Sequence, residues 1–205
     1  MPEQLFTSPQ PETYLEHRST LLSGMLIKTL RRWFSTSDTL PVSLQHLVWT
    51  ASSNTTKLRI ETRDQILGHD WEARPSVVVR ENSMVSQRLG IGEGRLSLYR
   101  PSGVDWHNTL YVGSHTILCL SPLESESRMM ALYVQQNLQR FQHCIRRGIG
   151  MLRLRVNEIG NSSLLRESRQ TVATPITIGY VFDSPYVVFA LGPKIRFIDL
   201  NVGTT

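Results

Sequence analysis

Alternation of apolar and polar positions is clearest in the second half of the chain, where it predicts strands on either side of a helix. Residues 110–120 form an apolar run typical of a buried strand. Residues 152–156 alternate leucine or valine with arginine, which predicts a strand with one packed face and one exposed face. Residues 175–182 place isoleucine and aromatic side chains on one face in the same way. Pro175 cannot donate a ladder hydrogen bond, so we expect it at a strand start or on a sheet edge.

The helix between the first two of these strands has a predicted start, face and end. Ser121 is a candidate N-cap, with Pro122 at the first helical position and Glu124 placed for a capping box. Gly148 is expected to end the helix in a left-handed conformation. The apolar face consists of residues spaced three or four apart: Met130, Val134, Leu138, Phe141 and Ile145.

The first half of the chain predicts a second amphipathic helix followed by short strands. Residues 12–34 carry leucines and a tryptophan at helical spacing, with two arginines in the last turn, where cations suit the helix dipole. We interpret this segment as a helix packed on a sheet; a basic helix at a membrane surface, or one bound in a calmodulin-like manner, is the alternative. Residues 36–41 are expected to form a linker, and residues 46–50, 57–62 and 76–80 to form strands.

The pattern also divides the chain into a domain with extensions. Residues 1–12 contain three prolines and predict an N-terminal arm. Residues 13–183 predict a single α/β domain in which periodicity fades over residues 81–108, as in a long loop or an extended hairpin. Residues 184–205 predict an apolar C-terminal extension that folds back on its own sheet or lies on a neighbouring subunit. The expected fold class is α+β: a mixed or mainly antiparallel sheet with two principal helices packed on one face and extended N- and C-terminal arms.

Composition favours a globular protein with a mild positive charge. The chain has 205 residues, of which 40% are hydrophobic and 19% charged, so wholesale disorder is not expected. The 22 basic and 17 acidic residues give a net charge of +5. The densest basic segments are residues 28–32 and 146–147, so a dedicated DNA-reading protein is not indicated, although a surface close to nucleic acid is compatible with this charge.

The chain carries no sequence feature of a secreted or membrane protein. The first residues lack the pattern of a signal peptide, and no segment approaches the roughly 18 apolar residues of a membrane span. Cys119 and Cys144 are expected to be small buried thiols rather than a disulfide, although their predicted elements could bring them together. We therefore expect assembly in a reducing cytoplasm, without a membrane.

Residues typical of catalysis do not form a recognisable motif. Six histidines lack metal-ligand spacing, and the Gly-x-Ser-x-Gly pattern of hydrolases is absent. The glycine-rich residues 90–94 resemble a phosphate loop only loosely, because neither the usual spacing nor a following helix is present. We therefore predict no enzyme, no catalytic residue, no cofactor and no metal. An enzyme with its site in the 81–108 loop is a competing class, which a bound ligand or metal would support.

Candidate partner contacts lie in the predicted loop, on the exposed strand face and in the C-terminal extension. The two alternating arginines of residues 152–156 form a linear positive stripe on that face. This stripe is either a solvated face with acidic cross-strand partners or a surface that faces another subunit or DNA. The candidate interface residues are Arg88, Arg95, Arg100, Arg153, Arg155, Phe189 and Phe197.

The order of these elements resembles the tail-terminator and tail-completion (neck) proteins of long-tailed bacteriophages. The resemblance is carried by residues 113–120, by the following helix through Phe141 and by residues 175–180, and covers about half of the chain as a pattern of elements. It implies an α/β sandwich closed into a six-fold ring. Such a ring stops the growth of the tail tube and presents a surface to the head connector.

For this chain the resemblance implies a structural virion protein of the tail or neck. Its partners would be copies of itself in a ring, expected to be a hexamer, the tail tube protein and head connector or adaptor proteins, with genomic DNA passing through the lumen. The longer arm, loop and extension make a neck or head–tail adaptor role the alternative. A nucleic-acid-binding accessory protein is the competing class, which binding to duplex DNA that falls steeply with salt would support.

Overall fold

A computed structural model of the chain combines two long helices with one mixed sheet. The structure describes residues 12–52, 56–62, 75–87, 104–165 and 168–189. In chain order the elements are α1 (Glu12–Trp33), β1 (Arg59–Thr62), β2 (Ser76–Gln87), β3 (Val104–Ser121), α2 (Glu124–Ile149), β4 (Arg153–Ile159), β5 (Ser163–Leu165) and β6 (Ser168–Phe189). The predicted α+β class, with a mixed sheet and two principal helices, is confirmed for this part of the chain.

The sheet is built around the long antiparallel pair of β3 and β6. The strand order is β1-β2-β3-β6-β4, and β5 also pairs with β6. Among the described strands, only the β1–β2 pair is parallel. The β3–β6 register runs without a shift from Val104 opposite Phe189 to Ser121 opposite Val172. β4 pairs with β6 and has no second partner among the described strands, so one of its edges is open within the described part of the chain.

Both helices cover the same face of this sheet, which we call the inner face. The predicted face of residues 175–182 is confirmed, because Ile176, Ile178 and Phe182 point into the core. α1 contributes leucines at helical spacing to the same core, and α2 contributes most of its predicted stripe. Phe141 is the exception in that stripe, because it stays 38% exposed at the helix–helix contact, where its ring lies 5.8 Å from that of Trp33.

The ends of α2 differ from the prediction by two residues at each terminus. The helix begins at Glu124 after Leu123, which caps it without a side-chain hydrogen bond. The Ser121 hydroxyl instead accepts a bond from the Leu123 amide at 3.1 Å and donates to the Glu126 carboxylate. At the other end Gly150, with φ of 72°, takes the left-handed conformation predicted for Gly148. The helix thus continues until a glycine can turn the chain toward β4.

Parts of the segment predicted as a long loop or an extended hairpin, and the start of the predicted C-terminal extension, form strands. β2 continues through residues 81–87 and β3 begins at Val104, so both described ends of the predicted 81–108 loop are paired. The alternative of an extended hairpin fits these two antiparallel strands better than a loop does. Residues 184–189 of the predicted extension likewise continue β6 and pair with β3. Backbone pairing in the long antiparallel ladders extends these strands, although most side chains of residues 81–87 are exposed.

Residues 46–50 form no strand, contrary to the prediction. The preceding segment contains two short 3-10 helices, Ser37–Thr39 and Val42–Leu44. The Trp49 amide then donates to the Phe34 carbonyl at 2.8 Å, so the chain crosses the end of α1 instead of joining the sheet. β1 begins only at Arg59, within the predicted strand of residues 57–62.

Pro175 lies inside β6 between two neighbouring strands, not at a strand start or a sheet edge. Its carbonyl accepts a bond from the Gly160 amide at 2.8 Å, which places the two residues opposite each other. A proline cannot return that bond, and β4 ends one residue earlier, at Ile159. The backbone N–H that Pro175 lacks would therefore lie at the point where the strand paired with β6 changes from β4 to β5.

The two cysteines are free and lie in different environments. Cys119 is buried on the inner face, where burial raises the pKa of its thiol to about 12. Cys144 is exposed on α2, so the expectation of a buried thiol is wrong for this residue. Neither of the two described helices has the apolar length that crossing a bilayer requires.

Candidate interaction surface

The sheet face opposite the helices, here called the outer face, combines a small buried apolar cluster with a strip of small and polar side chains. The cluster consists of Val78, Leu120 and Ala173, with Leu118 and Leu165 packed against it. Alternation along β3 turns Ser114 and Thr116 outward, and alternation along β6 does the same for Thr177 and Gly179. No described helix packs on these four residues, which are partly accessible. A β2 side chain, Asn82, lies over them and donates to the Ser114 and Thr116 hydroxyls at 3.1 and 2.9 Å.

Arginines border this outer face on two sides. Arg80 of β2 is exposed opposite Thr116, at one side of the small polar strip. Arg153 and Arg155 of β4 are exposed at the other side. The strip of small polar residues therefore lies between positive charges, and Glu158 of β4, opposite Thr177, adds one exposed acidic residue to the same face. Such a surface suits contact with an acidic partner better than packing inside the protein.

The residues directly across from the β4 arginines are not acidic. Arg153 faces Val181 and Arg155 faces Gly179 on β6. Within the described part of the chain, neither guanidinium forms a hydrogen bond or an ion pair. Acidic residues therefore do not lie directly opposite these two arginines in the described sheet. Their exposure fits a solvated face as well as a surface that faces a partner.

An apolar row continues the outer face next to Arg153. Val85, Val112 and Val181 lie side by side on β2, β3 and β6. Val85 is 63% exposed and Val112 is 37% exposed. Single exposed apolar residues are common on protein surfaces, but adjacent ones are not. A row of exposed valines across neighbouring strands is therefore typical of a contact surface.

The other predicted interface residues contribute no described contact. Phe189 ends β6 opposite Val104, and its side chain lies outside the described part of the structure. Arg88, Arg95, Arg100 and Phe197 lie outside the described residues altogether. Only Arg153 and Arg155 can therefore be placed on a surface.

A buried polar group under α1 was missed by the sequence analysis. His115 of β3 is fully buried on the inner face, and its Nε2 lies 2.7 Å from the Ser23 hydroxyl of α1. Burial lowers the pKa of His115, while the negative charge of Glu81 opposes that shift. Glu81 itself accepts a hydrogen bond from Ser19. The sequence feature that could have revealed the group is the pair of serines one helical turn apart on the apolar face of α1.

Tyr180 completes this buried group. Its ring centre lies 5.3 Å from that of His115, and its hydroxyl lacks a hydrogen-bond partner among the described residues. Burial raises the pKa of Tyr180 to about 12, and the charge of Glu81 adds to that shift. The serine–histidine contact has the reach that nucleophile activation needs, but His115 Nδ1 lacks a described partner that would orient the ring. We interpret the group as a polar contact between α1 and the sheet.

Metal ligands and known relatives give no further assignment. Within the described ranges, no three His, Cys, Asp or Glu side chains lie close enough together to hold a metal ion. The comparison with known protein families and with curated proteins finds no match to this chain.

Proposed function

We propose that the chain is a structural virion protein of a tailed bacteriophage. In this proposal its copies form a ring, expected to be a hexamer, that ends the tail tube and joins it to the head connector while genomic DNA passes through the lumen. A neck or head–tail adaptor role is the variant of the same proposal. The observation that carries it is the open outer face of the sheet, together with the open edge of β4.

The open edge gives neighbouring copies a place to meet. An unpaired strand presents free N–H and C=O groups, and proteins leave such an edge long and accessible where a partner completes it. β4 has seven residues and carries Arg153 and Arg155, whose charges oppose unspecific pairing of like edges. A specific acidic neighbour would satisfy both the edge and the arginines.

The acidic neighbour can be another copy of this chain, because basic and acidic residues lie at opposite ends of α2. Arg146 and Arg147 lie in the last turn of α2, next to the start of β4, and add to the charge of Arg153 and Arg155. Glu124 lies in the first turn, and a helix of 26 residues separates the two ends by about 39 Å. Contact between the basic end of one copy and the acidic end of the next is head-to-tail, which closes into a ring when the rotation permits.

The order of elements adds support from the resemblance. The described chain has a helix, two strands and a strand that runs into a long helix. Three strands follow that helix, and β5, with three residues, is the one that the resembling order does not include.

A charge reversal on β4 tests the proposed contact. The double variant R153E/R155E should remain folded but lose self-association, because repulsion replaces attraction at the contact. Light scattering after size-exclusion chromatography, over a range of protein concentrations, gives the mass of the particle. R128E/R140E changes the net charge equally on the exposed side of α2 and serves as the matched control. If R153E/R155E assembles as well as the control and the wild type, β4 is not the contact.

A further inference from the structure

A cleft with a basic wall lies beside the C-terminal half of α1, away from the outer face. Its volume is about 620 Å³, and its wall includes Lys28, Arg31 and Arg32 from α1 and Trp49 from the segment that crosses the helix end. Gly24 also lines the cleft, which is wider at this position because glycine has no side chain. The cleft is therefore a surface concavity in which three cations and one aromatic ring meet.

The three cations share one side of the helix by their spacing. Positions i, i+3 and i+4 are neighbours on a helix surface, which places Lys28, Arg31 and Arg32 together. Among the described residues, none of the three pairs with a carboxylate. Three adjacent positive charges repel one another, and no counter-charge is present among the described residues. A negatively charged ligand would therefore reduce this repulsion.

Arg31 is fixed while its two neighbours project freely. Its Nε and Nη2 donate to the Ile60 carbonyl at 3.3 and 2.9 Å. Its guanidinium carbon lies 5.2 Å from the centre of the Trp49 ring, within the range of a cation–π contact. Arg31 and Trp49 thus form a contact pair at the side of the cleft, here called the platform, and Trp49 also packs against the core. Lys28 and Arg32 are exposed above it.

The helix dipole explains only part of this arrangement. Cations in the last turn of a helix are favourable, which accounts for Arg31 and Arg32. It does not account for Lys28, which lies a turn earlier, or for the tryptophan that the loop brings to the same cleft. An aromatic platform between flexible cations is the combination with which proteins bind single-stranded nucleic acids: bases stack on the platform and phosphates contact the cations.

We infer that this cleft binds a short segment of single-stranded nucleic acid, with a base against the Arg31–Trp49 platform and phosphates at Lys28 and Arg32. The inference does not depend on the proposed ring, because every residue it uses lies on α1 or on the segment after it. It adds a binding site to a chain in which the outer face and β4 are left for protein partners.

Binding of a labelled oligothymidylate of about 20 nucleotides, followed by fluorescence anisotropy, tests the inference, since stacking needs no base sequence. The wild type should bind at low salt, with log affinity falling by about 0.7 per phosphate contact for each unit of log salt concentration. K28E/R32E should weaken binding at least about tenfold and reduce the slope by about 1.4, because two phosphate contacts are lost. R128E/R140E and R153E/R155E carry the same change of charge and should have much smaller effects.

The platform is tested by a second pair of variants. Trp49→Ala should weaken binding about tenfold, while Trp49→Phe should retain most of it, because stacking needs an aromatic face. A duplex of the same length should bind more weakly than the single strand, since its bases are not free to stack. An RNA oligouridylate arm shows which of the two single strands is preferred.

Three results would overturn the inference. They are no binding at low salt, an equal loss of binding in K28E/R32E and in both control variants, and equally tight binding of a polyglutamate of matched charge. The last result would assign the cleft to acidic protein segments. Light scattering on K28E/R32E separates this test from that of the ring, because its self-association should equal that of the wild type.

Discussion

The inner and outer faces of one sheet differ in what their side chains contact. On the inner face, Ile117, Ile176 and Phe182 are fully buried beneath α1 and α2. On the outer face, Thr116 and Thr177 alternate with them along the same strands and remain partly accessible. The same two central strands therefore build a packed core and an open polar surface. Packing determines the residues on the inner face and in the small outer-face cluster around Val78 and Leu120, whereas the polar strip between them and β4 stays accessible.

The largest predicted contrast between the faces is in packing. Phe182→Ala should lower the free energy of unfolding by about 3–5 kcal/mol, because it leaves a cavity beside Tyr111 and Tyr180. Val85→Ala on the outer face should cost less than about 1 kcal/mol, because the valine is largely exposed. Urea unfolding followed by circular dichroism measures both. Similar costs at the two positions would mean that the outer face is also packed.

A pair of glycines gives a second contrast by the same substitution. At Gly113 on the inner face, a new Cβ would lie 2.5 Å from the Tyr180 hydroxyl oxygen and 2.6 Å from its ring. Since the buried tyrosine cannot move aside, Gly113→Ala should cost about 1–3 kcal/mol of stability.

Gly179 on the outer face is the matched control for Gly113. Its new Cβ would lie 3.1 Å from the side-chain amide of Asn157, which is exposed and can rotate away. Gly179→Ala should therefore be neutral or slightly stabilising, since alanine loses less backbone entropy than glycine on folding. Thermal unfolding of the two variants measures the difference, and a larger loss at Gly179 would reverse the assignment of the faces.

The buried histidine makes the inner face sensitive to acid. Burial places the folded-state pKa of His115 below the ordinary value of about 6.5, so the folded protein disfavours the protonated form. Stability is therefore complete above about pH 6.5 and falls as the pH decreases, by at most about 1.4 kcal/mol per pH unit for this group. His115→Gln, which can still bond to Ser23, should remove this part of the pH dependence. Equal pH dependence of the wild type and this variant between pH 5 and 7.5 would show that His115 does not titrate on unfolding.

The smallest predicted effect on stability is at the arginines of β4. Because Arg153 and Arg155 are exposed and unpaired among the described residues, R153E/R155E should change the free energy of unfolding by no more than about 0.5 kcal/mol. Chemical unfolding below the concentration of self-association measures this. A large loss of stability would mean that the arginines belong to the fold rather than to a contact.

The sequence pattern predicted the inner face well, because apolar residues that are buried on one face recur at a regular spacing along a strand or helix. Alternation in residues 175–182 and helical spacing in α2 identified core residues correctly. Features that depend on a neighbour in space were predicted poorly. Pro175 is tolerated inside a strand because Gly160 faces it at the end of β4, and residues 46–50 follow the end of α1 because of the bond to Phe34.

The candidate surfaces were predictable only in part for the same reason. Alternation placed Arg153 and Arg155 on an exposed face, but only the register shows that Val181 and Gly179 lie opposite them. His115 and Ser23 are 92 positions apart in the chain, so no local spacing connects them. Trp49 joins the basic cleft because the predicted strand around it is in fact an irregular crossing segment.

Electron microscopy of the purified protein, alone and after mixing with isolated tail tubes from the same source, tests the central claim most directly. The account predicts closed rings with six-fold symmetry in class averages, either free or seated on one end of the tube. A particle that stays monomeric in both samples at high concentration, or that binds along the sides of the tube, would contradict it.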